Sequence, residues 1–187
     1  VSNKKLFIDR KEGFIGTKIV NGEFISQCSE IDDVIIFRKN GSYKIVNIAE
    51  KLFVGSDIVH AQVWKKNDSH LIYNLIYSDN TLKVSYAKRF SVTAAVKDKE
   101  YRVSSFSNNI TIKYLSSNPN SESEVVNIYL NFRAKARKKM IEYDFSKISI
   151  KSKTSKGNIV SKYSIRKVDR KSLGESSLGG RKIWIDM

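Results

Sequence analysis

Apolar alternation recurs in short runs along the chain, at Val34–Phe37, Ile58–Trp64, Leu71–Tyr77, Ile110–Leu115 and Lys147–Lys151. Successive side chains of an extended segment point to opposite faces, so a period of two predicts a strand at each run. Turn-forming residues fill the gaps: Lys39-Asn40-Gly41-Ser42, Ser78-Asp79-Asn80, Ser116-Ser117-Asn118-Pro119-Asn120 and Ser155-Lys156-Gly157-Asn158. With one proline and no capped heptads there is little sign of long helices, and the pattern predicts an all-β fold.

The runs repeat on a longer scale. A strand, a tight polar turn, a basic strand and a further apolar strand begin near Leu6, Val34, Leu71, Ile110 and Ile148, starts that lie 28, 37, 39 and 38 residues apart. A period of about 40 residues built of strands marks propeller-like blades rather than a helical solenoid, and about five blades are expected. Lys182-Ile183-Trp184-Ile185 is the candidate strand to close the set by pairing with the first, with an ordinary edge strand or a loose tail as the alternative.

Two readings compete from Val126 to Lys139. Phe132-Arg133-Ala134-Lys135-Ala136-Arg137 has the composition of a helix. However, Val126, Ile128, Leu130, Phe132, Ala134 and Ala136 are apolar while Asn127, Asn131, Arg133, Lys135 and Arg137 are polar. That parity predicts one long strand, with Leu130, Phe132 and Ala134 toward the core and a cation row of Arg133, Lys135, Arg137 and Lys139 on the other face.

Composition narrows the function. The 187 residues are 41% hydrophobic, enough for a single domain across residues 1–187. Lys and Arg number 34 against 19 Asp and Glu, a net charge of +15, so the field attracts polyanions and nucleic acid is the leading partner. No apolar run reaches the roughly 18 residues of a membrane span, and no charged start precedes an apolar stretch as in a signal peptide. A soluble, cytoplasmic protein with no membrane partner is expected. Cys28 is the only cysteine, which excludes an internal disulfide and a cysteine-ligated zinc site. The first residue is Val1 and not Met, which reads as a fragment of a longer chain.

Catalytic chemistry finds little to work with. His60 and His70 are the only histidines, each within an apolar pattern that suits a structural role. Cys28 has Asp32 and Asp33 nearby but no basic activator. No catalytic set, metal site or cofactor is expected. The stretch from Gly174 to Lys182, with Gly179 and Gly180, looks superficially like a phosphate-binding loop. It has glycine where the phosphate lysine belongs, and a strand-like run follows where a helix N-terminus is required.

The cations show more order. Gly13, Gly41, Asn80 and Gly157 each tolerate the left-handed backbone of a tight turn. Lys44 and Lys83 stand three residues past their turn residue, and Lys18 and Lys162 five past theirs. Three and five share parity, so on strands all four would face alike and form a basic band. Because aromatics fill mostly apolar positions, base-stacking platforms are not evident.

Three stretches then carry a resemblance: Lys5-Leu-Phe-Ile-Asp-Arg-Lys-Glu-Gly-Phe-Ile-Gly-Thr17, Ile31-Asp-Asp-Val-Ile-Ile-Phe-Arg-Lys-Asn-Gly41 and Ser155-Lys-Gly-Asn-Ile-Val-Ser-Lys-Tyr163. With Lys97–Tyr101 and the ending from Arg181 to Asp186, they are similar to the C-terminal domain of the A-type subunit of bacterial type IIA DNA topoisomerases, especially the topoisomerase IV form of the Bacteroides group. The resemblance implies a β-pinwheel whose basic outer rim bends duplex DNA and presents it to the cleavage core. It also implies a catalytically silent fragment, since the attacking tyrosine precedes this domain in the A-type subunit and ATP is bound by the B-type subunit. The implied partners are duplex DNA, a second A-type subunit and the ATP-binding B-type subunit, at the bacterial nucleoid. Gyrase's glutamine-, arginine- and glycine-rich box is missing here, which favours topoisomerase IV. The candidate DNA-binding cations are Lys18, Arg38, Lys39, Lys44, Lys83, Lys88, Arg89, Arg133, Lys135, Arg137, Lys139, Lys156, Lys162, Arg166, Arg181 and Lys182. A propeller-like protein-interaction module for an acidic partner is the alternative.

Overall fold

The computed structural model describes residues 3–176, which are all-β apart from one 3-10 turn at Phe145–Lys147. In chain order the first strands are β1 (Lys4–Asp9), β2 (Phe14–Gly16), β3 (Glu23–Cys28), β4 (Asp33–Arg38), β5 (Ser42–Asn47), β6 (Leu52–Phe53) and β7 (Ile58–Trp64). They are followed by β8 (Ile72–Asp79), β9 (Val84–Phe90), β10 (Tyr101–Arg102), β11 (Ile110–Asn118), β12 (Glu122–Leu130), β13 (Met140–Asp144), β14 (Asn158–Ser161) and β15 (Ile165–Ser176).

Antiparallel pairing gathers these strands into four sheets among the described residues, in the orders β3-β1-β2-β6, β10-β5-β4-β7, β11-β8-β9-β14 and β13-β12-β15. One rule generates them. Each sheet is built on a hairpin, whose first strand is flanked by a later strand: β3 on β1, β7 on β4, β11 on β8 and β15 on β12. The hairpin's second strand is flanked by a strand from beyond the next hairpin in the chain: β6 on β2, β10 on β5 and β14 on β9. The repeat starts expected near Leu6, Val34 and Leu71 are therefore the hairpin strands β1, β4 and β8. Ile110 begins an outer strand instead, because an outer strand carries the same alternation as a hairpin strand. The fourth hairpin starts at Glu122, so four sheets stand where about five blades are expected.

Contacts divide the chain into two compact units. The first runs up to Asn67 and includes Thr93–Val103, so it holds the first two sheets. Leu6, Ile8 and Ile15 of its first sheet pack with Cys28, Val34, Ile36, Val46 and Ile58. The opposite face of β4 is buried as well, where Phe37 lies across from Tyr43 at 5.1 Å and Tyr43 stacks on Tyr101 of β10 at 5.6 Å. Such cross-strand pairs are the sheet's local unit of stabilisation. Gly13 closes the β1–β2 turn at φ +87°, and a Cβ there would fall 2.2 Å from the Gly55 carbonyl. Glycine meets both demands at once.

The second unit comprises Asp68–Val92 and the chain from Ser104 onward. Its core joins Ile76 and Ala87 to Val126, Ile128, Leu130, Phe145 and Ile165. Beside this core lies a buried polar network. Glu124, fully buried, accepts from Tyr114 Oη at 2.6 Å, Asn74 Nδ2 at 3.1 Å, Asn118 Nδ2 at 3.2 Å and Ser116 Oγ. Asn74 in turn accepts from Arg89 Nε at 3.1 Å, and Arg89 Nη2 donates to the Ser121 carbonyl at 3.0 Å. Burial lowers the Arg89 pKa while the Glu124 charge raises it, and Arg170 Nη1 lies 4.0 Å from Glu124 Oε2.

Three expectations need correction. Lys147–Lys151 is not a strand: the Asp144 side chain accepts from Ser146 N and caps the 3-10 turn, after which Ile150 makes only an isolated bridge to Arg89. The long strand from Val126 ends at Leu130. There the Asn131 side chain accepts from Arg133 N at 3.0 Å, and Ala134 N donates to the Asn131 carbonyl at 3.0 Å. This side-chain turn competes with the ladder and ends it. Residues 131–139 become the loop of the β12–β13 hairpin, and Phe132, expected in the core, is 74% exposed. In the β8–β9 turn the left-handed residue is Lys83, φ 60°, in place of Asn80. Lys83 N donates to the Asp79 carbonyl as Gly13 N does to Asp9, and Asp79 and Asp9 each bond the turn amides with their side chains. The candidate closing strand at Lys182–Ile185 lies outside the described residues.

Lys88 sits within the second unit, fully buried on β9. Its Nζ donates to the carbonyls of Lys153 at 2.6 Å and Ser155 at 2.9 Å and lies 4.8 Å from the Phe90 ring. The neighbouring segment closes over β9, where a Cβ on Gly157 would fall 2.5 Å from the Ala87 carbonyl. Burial pushes the Lys88 pKa from 10.5 down to about 7.

Two measurements follow from these positions. Ile128→Ala, at a fully buried site, is expected to cost about 2–5 kcal/mol, whereas Phe132→Ala changes stability by no more than about 0.5 kcal/mol; thermal melts of the two variants give the comparison. For Lys88 the unfolded chain holds the extra proton between the two pKa values, so its contribution to stability rises with pH across that window. Relative to Lys88→Met, the parent should gain up to about 1.4 kcal/mol per pH unit between about pH 7.5 and 9.5, and parallel stability curves would contradict a buried, depressed lysine.

Candidate nucleic-acid interface

Antiparallel hairpins gather their turns at sheet ends, and the pairing rule brings a second feature to the same place. In the first unit the segment between β6 and β7 is laced to two hairpin turns. Val54 N donates to Gly13 O at 2.8 Å and Ile58 N to Arg10 O at 3.0 Å on the β1–β2 side. On the β4–β5 side, Lys39 N donates to Asp57 O and Arg38 Nε to Ser56 O, each at 2.8 Å. Arg10, Lys11 and Lys39 line an open cleft here with Asp57, Ile58 and Val59. Arg10, although exposed, is held by the Glu23 carboxylate at 2.8 Å and the Val59 carbonyl at 2.6 Å; Lys11 and Lys39 are exposed beside it.

The second unit repeats the device. The segment between β14 and β15 runs beside the β12–β13 loop, where Asn131 N donates to Ser164 O at 2.8 Å, the counterpart of Lys39 to Asp57. Lys162, Tyr163 and Ser164 line two adjoining clefts. Arg133 and Lys135 complete one with Asn131 and Ala134, and Lys83 completes the other with Asn80 and Asp79. Arg137 and Lys138 are exposed in the same loop. A hairpin loop rich in cations beside Lys162 concentrates positive charge at a sheet end, the arrangement that suits phosphate contact.

The other predicted cations are placed differently. Lys18 stands beyond the end of β2, paired with Glu50 at 3.1 Å, and Lys44 is half-buried on β5 opposite Ile36. Lys162 lies beyond β14 and Lys83 within a turn, so the strand-borne band expected from parity does not form. Residue parity holds only while a strand lasts, and three of those four lysines lie off strands. Lys88 and Arg89 are enclosed and bonded to the protein, which removes them from any outer face. Lys139 bonds the Ala134 carbonyl within its own loop. Lys156 is half-buried, 5.4 Å from the Tyr86 ring and 5.6 Å from that of Phe106. Arg166, on β15, covers the Phe132 ring at 4.4 Å. Arg181 and Lys182 lie outside the described residues. Sequence reasoning missed Arg10, Lys11 and Lys138; the first two stand in the turn Asp9-Arg10-Lys11-Glu12-Gly13, a signal read for its glycine and not for its cations.

His60 is half-buried on β7 with Nε2 2.5 Å from Gln62 Oε1, and burial lowers its pKa. His70, placed in an apolar strand pattern by the sequence, stands exposed just before β8. Cys28 is fully buried, and burial raises the thiol pKa. Among the described residues no group of three His, Cys, Asp or Glu stands ready to hold a metal, and no helix is long and apolar enough to cross a membrane.

The family model described as the topoisomerase C-terminal domain of the Bacteroidota matches residues 5–172. The A-type subunit of DNA topoisomerase 4 from Borreliella burgdorferi is 37% identical over 100 residues, which are 53% of this chain and 16% of that protein. This chain thus spans only a small part of its relative's length. With a family match across nearly all of its described sheets, the chain belongs to the topoisomerase C-terminal domain family of the Bacteroidota.

Proposed function

We propose that this domain binds duplex DNA without regard to sequence and bends it, in a parent enzyme that is a type IIA topoisomerase of the topoisomerase IV kind. The observation that carries the reading is the concentration of exposed cations at hairpin-turn ends: Lys11 and Lys39 in one unit, and Lys83, Arg133, Lys135 and Lys162 in the other. In a chain of net charge +15, each cluster suits contact with phosphates. Turn-borne cations reach outward from a stiff sheet, so they position a DNA backbone while reading no base edges.

In this reading the turn ends within each unit are where the DNA backbone docks, and the duplex bends on binding. The domain supplies no catalytic group or cofactor of its own. It delivers DNA to the cleavage core formed by paired A-type subunits, while an ATP-binding B-type subunit drives the cycle, in the cytoplasm at the nucleoid. Support comes from the family and from the topoisomerase 4 relative.

Binding of a short duplex, followed by fluorescence anisotropy across salt, tests the proposal. With six to ten phosphates engaged, affinity should fall roughly a thousandfold or more between about 50 and 200 mM salt. Replacing Arg133, Lys135, Arg137 and Lys138 with Ala should lower both the affinity and the salt slope, by about 0.9 per lost phosphate contact, while the melting temperature holds. A flat salt response would overturn the reading in favour of an acidic protein partner, and a variant that binds like the parent would overturn this placement of the contact.

A further inference from the structure

The loop that ends β12 early presents an aromatic ring to solvent. Phe132 is 74% exposed, although its carrier loop is anchored at both ends, by Leu130 N to Lys139 O at 2.7 Å and by Asn131 N to Ser164 O at 2.8 Å. Below it the side chains alternate between cation and ring. Lys167 Nζ lies 4.8 Å from the Tyr129 ring, and the Arg166 guanidinium lies 5.6 Å from Tyr129 and 4.4 Å from Phe132. Tyr129 and Lys167 are register partners across β12 and β15, so the ladder stands on a sheet. Arg166 covers one face of Phe132, and the ring's high exposure leaves the other open.

An open ring backed by a guanidinium is a stacking platform. Beside it Arg133, Lys135 and Lys162 line a cleft suited to phosphates. Flat π surface next to a basic groove is the combination that holds unpaired bases. A perfect duplex keeps its base faces covered, so an exposed ring finds a partner only where a base leaves the stack.

We propose that Phe132, backed by Arg166 and flanked by Arg133, Lys135 and Lys162, stacks on an unpaired nucleobase, so that the domain prefers DNA carrying a bulged or extruded base over perfect duplex. The inference rests on the DNA-binding reading above and adds a ligand feature to it. A strongly bent duplex loses stacking at its sharpest step, which places such a base within the domain's reach.

The test compares a perfect duplex with the same duplex bearing a two-nucleotide bulge that contains 5-iodouracil, a probe that photocrosslinks to stacked aromatic rings. The parent chain should bind the bulged DNA about fivefold or more tightly, and mass spectrometry should map the crosslink to Phe132. Phe132→Ala and Phe132→Leu should abolish the preference and the crosslink at an unchanged melting temperature, and Phe132→Trp should keep the preference. Equal affinity for the two duplexes, a crosslink elsewhere, or a preference retained by Phe132→Leu would overturn the proposal while leaving duplex binding intact. Failure to bind either DNA would overturn both this proposal and the reading beneath it.

Discussion

The second strand of each hairpin leaves one row of backbone amides and carbonyls facing outward, and that row must be hydrogen-bonded or it becomes a site of aggregation. Among the described residues this chain meets the requirement in three of its four hairpins, with short strands taken from beyond the next hairpin: β6 on β2, β10 on β5 and β14 on β9. Two of these are only two residues long, so each adds little burial of its own. Their consequence is positional. Each returns the chain to the turn end of the preceding hairpin, and the segment that leaves it is then laced to hairpin turns by backbone hydrogen bonds.

The candidate site is a by-product of that topology. Turns are where polar and charged residues are tolerated, and the pairing rule sets a second connection beside them, so cations from separate stretches of chain meet without any strand carrying a basic face. Arg133 and Lys162 line one cleft although far apart in sequence, because Asn131 N and Ser164 O are hydrogen-bonded. The two cations of β9 meet the opposite fate: Lys88 spends its donors on the carbonyls of Lys153 and Ser155, and Arg89 on Asn74 and the Ser121 carbonyl in the buried network around Glu124.

Much of this was legible in the sequence where a strand's period was cleanly bounded. Ile58–Trp64 is a strand to the residue, and Gly13, Gly41 and Gly157 all adopt positive φ. The Glu124–Asn74–Arg89 network was not legible, since its members are distant in sequence and each looks like a surface residue in its own strand. The alternation through Phe132 misled for a physical reason: hydrophobic parity reports which faces a strand would have, but Asn131 ends the strand through a side-chain hydrogen bond that parity does not register. The alignment of Asn80 with the glycines failed similarly, because Asp79 sets the turn and the left-handed residue comes four positions after it.

Mapping lysine protection on duplex binding addresses the central claim most directly. With the chain reductively methylated in the presence and absence of DNA and the modified residues identified by mass spectrometry, Lys11, Lys39, Lys83, Lys135 and Lys162 at the turn ends should be protected. Lys65 and Lys66 follow Trp64, which pairs with Asp33 at the opposite end of the second sheet from the Arg38–Ile58 pair, and should stay reactive. Protection of Lys65 and Lys66 with the turn-end lysines left reactive would contradict the account.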